Sequence, residues 1–178
     1  MTLVANLFAG PGAGKSTMAA SLFAELKRKN INCELVTEFA KDKVWEESYG
    51  VLDNQLYVFA KQFHWLRRLF GKVDVIVTDS PLLLSLYYGC KESYVFKALV
   101  MEQHNKMETL NLFVERDPSR DYDERGRMQT LDEAVEIDKS LKKLLAENDV
   151  DFTSFIADER NVSKMSDLVL GWLEMFGS

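Results

Sequence analysis

The sequence predicts a single α/β domain built on a parallel sheet, and three observations carry that expectation. Short, mostly apolar runs alternate with stretches whose apolar residues recur at helical spacing. No long linker, repeat or low-complexity tract interrupts them. The 178 residues, 47% hydrophobic and 28% charged, furnish one real core with little left for a second, which excludes disordered and fibrous chains.

Thr2 to Ala9 reads as a first strand, apolar enough to be covered on both faces. Gly10, Gly12 and Gly14 stop it. From Lys15 to about Lys29, Met18, Leu22 and Leu26 trace a helical stripe widened by Phe23, and Lys27, Arg28 and Lys29 suit the negative end of the helix. Ile31 to Thr37 predicts the second strand, with Glu38 at its carboxyl end. Asp53 is the expected N-cap of a helix running to about Phe70, its apolar face drawn from Leu56, Phe59, Ala60, Phe63, Leu66 and Phe70. Val73 to Thr78 predicts a third strand, ended by Asp79, Ser80 and Pro81. Helical segments follow from about Leu82 and from about Ser93 to Thr109, then a fourth strand from Leu110 to Glu115. Thr130 and Glu133 have capping-box spacing, and Leu131, Ala134, Val135, Leu141 and Leu145 give the next helix its packing face. Phe152 to Ile156 predicts a fifth strand, and Val162 to Phe176 a closing amphipathic helix.

Charge and composition narrow the functions. The chain carries 22 Lys and Arg against 28 Asp and Glu, a net charge of −6, so bulk attraction to phosphate polymers is not expected, although a local basic patch can survive. Cys33 and Cys90 form no Cys-x-x-Cys pair, and His64 and His104 are too few and too scattered for a histidine-based metal site; a reducing compartment is expected. No run approaches the roughly 18 to 20 apolar residues of a membrane span, and the N-terminal run leads into glycines instead of a cleavage site. The expected location is the cytoplasm.

The strongest chemical signal is Gly10-Pro11-Gly12-Ala13-Gly14-Lys15-Ser16-Thr17. It matches the phosphate-binding pattern G-x-x-x-x-G-K-[ST], except that Ala9 stands where the first glycine belongs. Small residues let backbone N–H groups curl around a β-phosphate, and the following helix points its positive end at the same spot. Lys15 would bridge the β- and γ-phosphates and Ser16 would hold Mg²⁺, so ATP and Mg²⁺ are the expected cofactors. Ala9 would be strained if its position needed a positive φ.

Asp79, at the end of Val75-Ile76-Val77-Thr78, stands where such enzymes hold Mg²⁺ through water or accept a proton; it would equally cap a helix beginning near Pro81. Glu38 is placed either to take the proton of an attacking hydroxyl or to be an ordinary surface acid. The stretch 116–129 contains Arg116, Arg120, Arg125 and Arg127 among four acids. It reads as a lid whose guanidinium groups swing over the triphosphate, Arg120 among them, or as a loop that neutralises itself. Between Asn54 and Val73 lie Lys61, Arg67, Arg68 and Lys72 and no acid. With Tyr57 and Trp65 nearby, this stripe suits either a DNA contact or a solvated helix face.

Gly10 to Thr17, Thr37 to Lys41, Asp53 to Leu56, Thr78 to Pro81 and Tyr122 to Gln129 together resemble the phosphate-loop kinases of the nucleoside and nucleotide kinase type. More narrowly they are similar to small phage-encoded kinases that include 5-hydroxymethyluracil DNA kinases, from about Leu3 to the helix after Thr130. The resemblance implies a P-loop NTPase fold over the whole chain, with a five-stranded parallel sheet, flanking helices and an arginine-rich lid. It also implies phosphoryl-transfer roles for Lys15, Ser16, Asp79, Arg116 and Arg127, and raises Glu38 as a base, leaving the choice between Glu38 and Asp79 open. The implied acceptor is a hydroxyl of a pyrimidine-type substrate, first of all the 5-hydroxymethyl group in DNA, with free deoxynucleosides or their monophosphates as alternatives. A nucleotide-hydrolysing switch or motor is the rival of another class; no Asn-Lys-x-Asp guanine motif appears, Asn105-Lys106-Met107-Glu108 being a near miss.

Overall fold

The computed structural model describes residues 1–89, 93–122 and 129–177. Its sheet has five strands, β1 (Leu3–Phe8), β2 (Cys33–Val36), β3 (Val75–Thr78), β4 (Glu108–Glu115) and β5 (Thr153–Ile156), all parallel in the order β2-β3-β1-β4-β5. Register runs Leu3 to Val75 and to Glu108 across β1, and Leu112 to Thr153 at the β5 edge. Every residue of β1 is buried, as its apolar run required of a central strand.

The pleat of β1 sorts its side chains between two cores. Leu3, Ala5 and Leu7 face α1 (Lys15–Arg28) and α8 (Arg160–Phe176), meeting Met18, Leu22 and Leu26 from the first and Met165 and Val169 from the second. Val4 and Phe8 face the other layer, formed by α4 (Gln55–Arg67), α5 (Leu84–Tyr88), α6 (Tyr94–Asn105) and α7 (Leu131–Glu147). Asn6 falls on that side as well, and the β1–β4 register sets it opposite Asn111, whose Oδ1 accepts from Asn6 Nδ2 at 3.0 Å. A buried amide is thereby partly satisfied across the ladder.

Several boundaries differ from expectation. Two short helices, α2 (Phe39–Trp45) and α3 (Tyr49–Leu52), fill a stretch to which the apolar pattern assigns no element, because neither is long enough to display a full stripe. Asp53 ends α3, and the cap of α4 is Asn54, whose Oδ1 accepts from Tyr57 N at 3.1 Å. Leu56 and Ala60 are exposed while Gln62 is buried, so the buried face of α4 is rotated from the one traced by apolar residues alone. On α7 the capping box at Thr130 and Glu133 is present, yet Leu131 is exposed and Ile137 and Asp138 are buried. The helix predicted to reach Thr109 stops at Asn105, since β4 pairs with β1 from Glu108 onward. Among the described residues no helix is long and apolar enough to cross a membrane. Cys33 is buried and free; Cys90 lies outside the described residues.

Candidate active site

The glycine loop leaves the carboxyl end of β1, which lies between β3 and β4. Parallel sheets collect ligands at this end of the strands. Gly12 and Gly14 take φ of 74° and 91°, which side chains resist, and Gly14 opens α1 as a cap with no side chain to offer. The first turn of α1 therefore keeps its amides uncapped by side chains and contains no acid, the arrangement that receives an anion. Ala9 is buried and is not among the residues with positive φ, so alanine replaces the motif's first glycine without backbone strain.

Gly10 is a glycine for another reason. A Cβ there would stand 2.7 Å from Asp138 Oδ1, 2.8 Å from the Ala134 carbonyl oxygen and 3.2 Å from Arg116 Nη2. The loop is pressed against α7, and Gly10 N–H donates to Asp138 Oδ1 at 2.6 Å. Its amide is engaged by the helix, unlike the phosphate-facing role expected for it. The second carboxylate oxygen of Asp138 takes Arg116 Nε at 2.6 Å, and Arg116 Nη2 reaches the Ala134 carbonyl at 3.1 Å. Arg116, expected to swing over the phosphates, is thus committed to α7, where it neutralises a carboxylate that would otherwise repel them.

Arg120 is similarly paired with Asp117, at 3.3 Å, with its side chain mostly exposed. Asp117 also accepts from Ser119, and these bonds hold its carboxyl below the usual range. Among the described residues, then, Arg120 pairs within the segment and Arg116 pairs outside it, with α7. Arg127 lies outside the described residues, as does Arg125.

Ser16 and Asp79 meet as the motif order implied: Ser16 Oγ donates to Asp79 Oδ2 at 2.5 Å. Asp79 is only 3% exposed and its Oδ1 is buried without a partner among the described residues, while the helix it was alternatively expected to cap starts later, at Leu84. A buried carboxylate oxygen left open beside a hydroxyl is a good fit to a hard cation. No group of three or more metal-ligating His, Cys, Asp or Glu occurs among the described residues. The donor set therefore suits Mg²⁺, which keeps waters and takes phosphate oxygens to complete its shell. Lys15 is half-buried beside it, with no ion-pair partner among the described residues.

Glu38 follows β2, the edge strand beyond β3, and serves as the backbone cap of α2 while its side chain caps nothing. Among the described residues its half-buried carboxylate makes no hydrogen bond or ion pair. It lies within electrostatic reach of Tyr88, as does Asp138: burial first, then the negative charge of Glu38, and lesser contributions from Tyr87 and Asp138, push the Tyr88 phenol above its ordinary value. Glu38, Tyr88, Asp138 and the glycine loop thus share one end of the sheet.

The basic stripe of α4 is partly occupied by its own aromatics. Lys61 lies over Tyr57 at 5.6 Å, Arg67 over Phe63 and Phe70 at 5.9 and 5.7 Å, and Arg68 Nε donates to the Trp65 carbonyl. Tyr57 and Trp65, read as stacking platforms, pack edge-on against Phe39 at 5.8 and 5.5 Å. The residues missed from sequence are Asp138 and Gln62. Each is a polar residue at a buried position of an amphipathic helix, which is the signal that would have found them.

A family model described as an AAA domain matches residues 6–160. The chain belongs to the AAA domain family. No curated protein matches it in sequence. Among solved structures, the AAA domain resembles the NadR protein determined in complex with NR, with a TM-score of 0.66 and 16% identity over 99% of this chain and 51% of that one. It thus spans about half the length of that protein, and the likeness is one of fold. A second structure, APE1195, aligns at 19% identity over 96% of this chain and 95% of that one, with a TM-score of 0.45. Fold and family together make this AAA domain a P-loop NTPase with a five-stranded parallel sheet flanked by helices.

Proposed function

We propose that this AAA domain is a kinase that transfers the γ-phosphoryl group of Mg²⁺-ATP to a hydroxyl of a pyrimidine-type acceptor. The observation that carries the reading is the half-buried Glu38 carboxylate, which makes no hydrogen bond or ion pair among the described residues, at the sheet end that bears the glycine loop. A hydrolase of the switch type has no need of an available base after the edge strand; a kinase has. Lys15 and the amides at the start of α1 neutralise the phosphates, and Ser16 with Asp79 would hold Mg²⁺, which when bound supplies charge neutralisation across the β- and γ-phosphates. Glu38 takes the proton of the acceptor hydroxyl as its oxygen bonds to the γ-phosphorus, and the bond to the β–γ bridging oxygen breaks to release the diphosphate. Asp79, already bonded to Ser16, is assigned to the metal, which leaves Glu38 as the base.

For the acceptor, the 5-hydroxymethyl group of 5-hydroxymethyluracil in DNA is the first candidate, on the motif resemblance together with the exposed Arg67 and Arg68 of α4. A base within duplex DNA must leave the stack to react, at a cost of a few kcal/mol. The alternative is a free nucleoside or nucleotide, favoured by the fold shared with a chain that holds NR. Labelled ATP incubated with hydroxymethylated DNA, plain DNA, nucleosides and monophosphates tests both. Label in one of these acceptors supports the kinase and names its substrate; label appearing only as free phosphate overturns it.

A further inference from the structure

The turn that presents Glu38 is shaped from a distance by Gln62 of α4, which is 4% exposed. Its Oε1 accepts from the Phe39 amide at 3.1 Å and its Nε2 donates to the Thr37 carbonyl at 3.1 Å. One side-chain amide therefore bonds the peptide groups on both sides of a single residue. That is the pattern by which a residue of a parallel strand brackets its neighbour, accepting from the following N–H and donating to the preceding C=O. β2 is an edge strand that ends at Val36, so no real strand supplies these bonds, and the amide of Gln62 continues the ladder past its end. The grip is reinforced by the edge-on contacts of Phe39 with Tyr57 and Trp65, both on α4. Burying an amide among Phe59 and Leu66 would be costly were either end unpaired, and both ends are paired.

We propose that Gln62 is the positioning residue of the reaction, holding the backbone on either side of Glu38 so that its carboxylate points at the acceptor hydroxyl. This rests on the assignment of Glu38 as the base. Misdirecting a reacting group by about 1 Å costs on the order of 100-fold in rate. Gln62→Met, which keeps the volume and loses both bonds, is expected to lower kcat by roughly that factor, to leave the Kd of Mg²⁺-ATP unchanged, and to speed exchange of the Phe39 amide. Combining it with Glu38→Gln is expected to add little to the loss from Glu38→Gln alone, because residues acting as one unit are not additive. Gln62→Glu, which keeps the acceptor for Phe39 N–H, serves if the methionine variant fails to fold. It loses only the bond to the Thr37 carbonyl, so it is expected to lower kcat less than Gln62→Met does while leaving the Kd of Mg²⁺-ATP unchanged, a kcat-against-binding split that a merely structural glutamine would not give. If Gln62→Met folds and turns over at the parental rate, or if the losses of the double variant multiply, the proposal fails with the base assignment intact. If Glu38→Gln alone keeps the parental rate, both fail together.

Discussion

Gly10→Ala tests whether the glycine loop and α7 are locked together. The added methyl would meet the Ala134 carbonyl oxygen at 2.8 Å, and that oxygen belongs to helix backbone which cannot rotate aside. It would also meet Asp138 Oδ1 at 2.7 Å, the atom that accepts from the Gly10 amide. Overpacking of this kind costs about 1–3 kcal/mol. Stretching a hydrogen bond to a charged acceptor adds about 1.5–3 kcal/mol. The two overlap, so a loss of about 3–5 kcal/mol is expected, and at about 2–4 °C per kcal/mol for a chain of this length Tm should fall by about 10 °C. Calorimetry reads the fall, and titration with a fluorescent nucleotide reads a parallel loss of affinity as the loop shifts. Ala9→Gly, which restores the motif one residue earlier, is the internal control. Position 9 has no positive φ to relieve, so that change should bring no gain and a cost of about 0.5–1 kcal/mol from added chain entropy. A Tm for Gly10→Ala within about 2 °C of the parent would show that α7 gives way freely and would refute the reasoning.

Lys15→Ala should leave Tm unchanged, since Lys15 makes no ion pair among the described residues, and should cut phosphoryl transfer by about 100-fold or more; retained transfer would remove it from the phosphates. Asp79→Asn should raise the Mg²⁺ concentration for half-maximal rate by about 10–100-fold, and an unchanged Mg²⁺ titration would reject Asp79 as a metal holder. Burial holds the His104 imidazole below its ordinary 6.5, and its Nδ1 is buried without a partner among the described residues. The stability gained from keeping it neutral is therefore full above about pH 6.5 and is lost as pH falls below that value, because the unfolded chain takes up the proton first. Unfolding midpoints measured at pH 7.5 and pH 5.5 should draw apart less in His104→Gln than in the parent, and equal differences would discount the buried imidazole.

The positions of the strands along the chain were open to sequence reading because buried parallel strands announce themselves as apolar runs: four of the five expected runs contain an observed strand, and the other, Leu110 to Glu115, lies within β4, which begins two residues earlier at Glu108. Helix faces were read less well. Periodicity assigns the inner face to apolar residues, so it placed Leu56 and Leu131 inside and passed over Gln62 and Asp138, although the structure reverses each pair. A polar residue is buried when a partner waits for it, and the partner is not a property of its own helix. The partner of Arg116 was hidden for a related reason: charge composition allowed it either a phosphate or a carboxylate, and only the packing of α7 supplied Asp138.

By itself the sequence determined the glycine loop, because small residues and positive φ are local matters that Gly12, Gly14 and the following Lys15 settle without help from the rest of the chain. It also determined that apolar strands alternate with helices, and so the class of fold. Only the tertiary structure decided which distant groups complete the site: Asp79 for Ser16, 63 residues away, Asp138 for Gly10, 128 residues away, and Gln62 for the peptides that flank Glu38. A residue's type states that a buried polar atom must be bonded, whereas the closure of the chain into two packed layers chooses the partner.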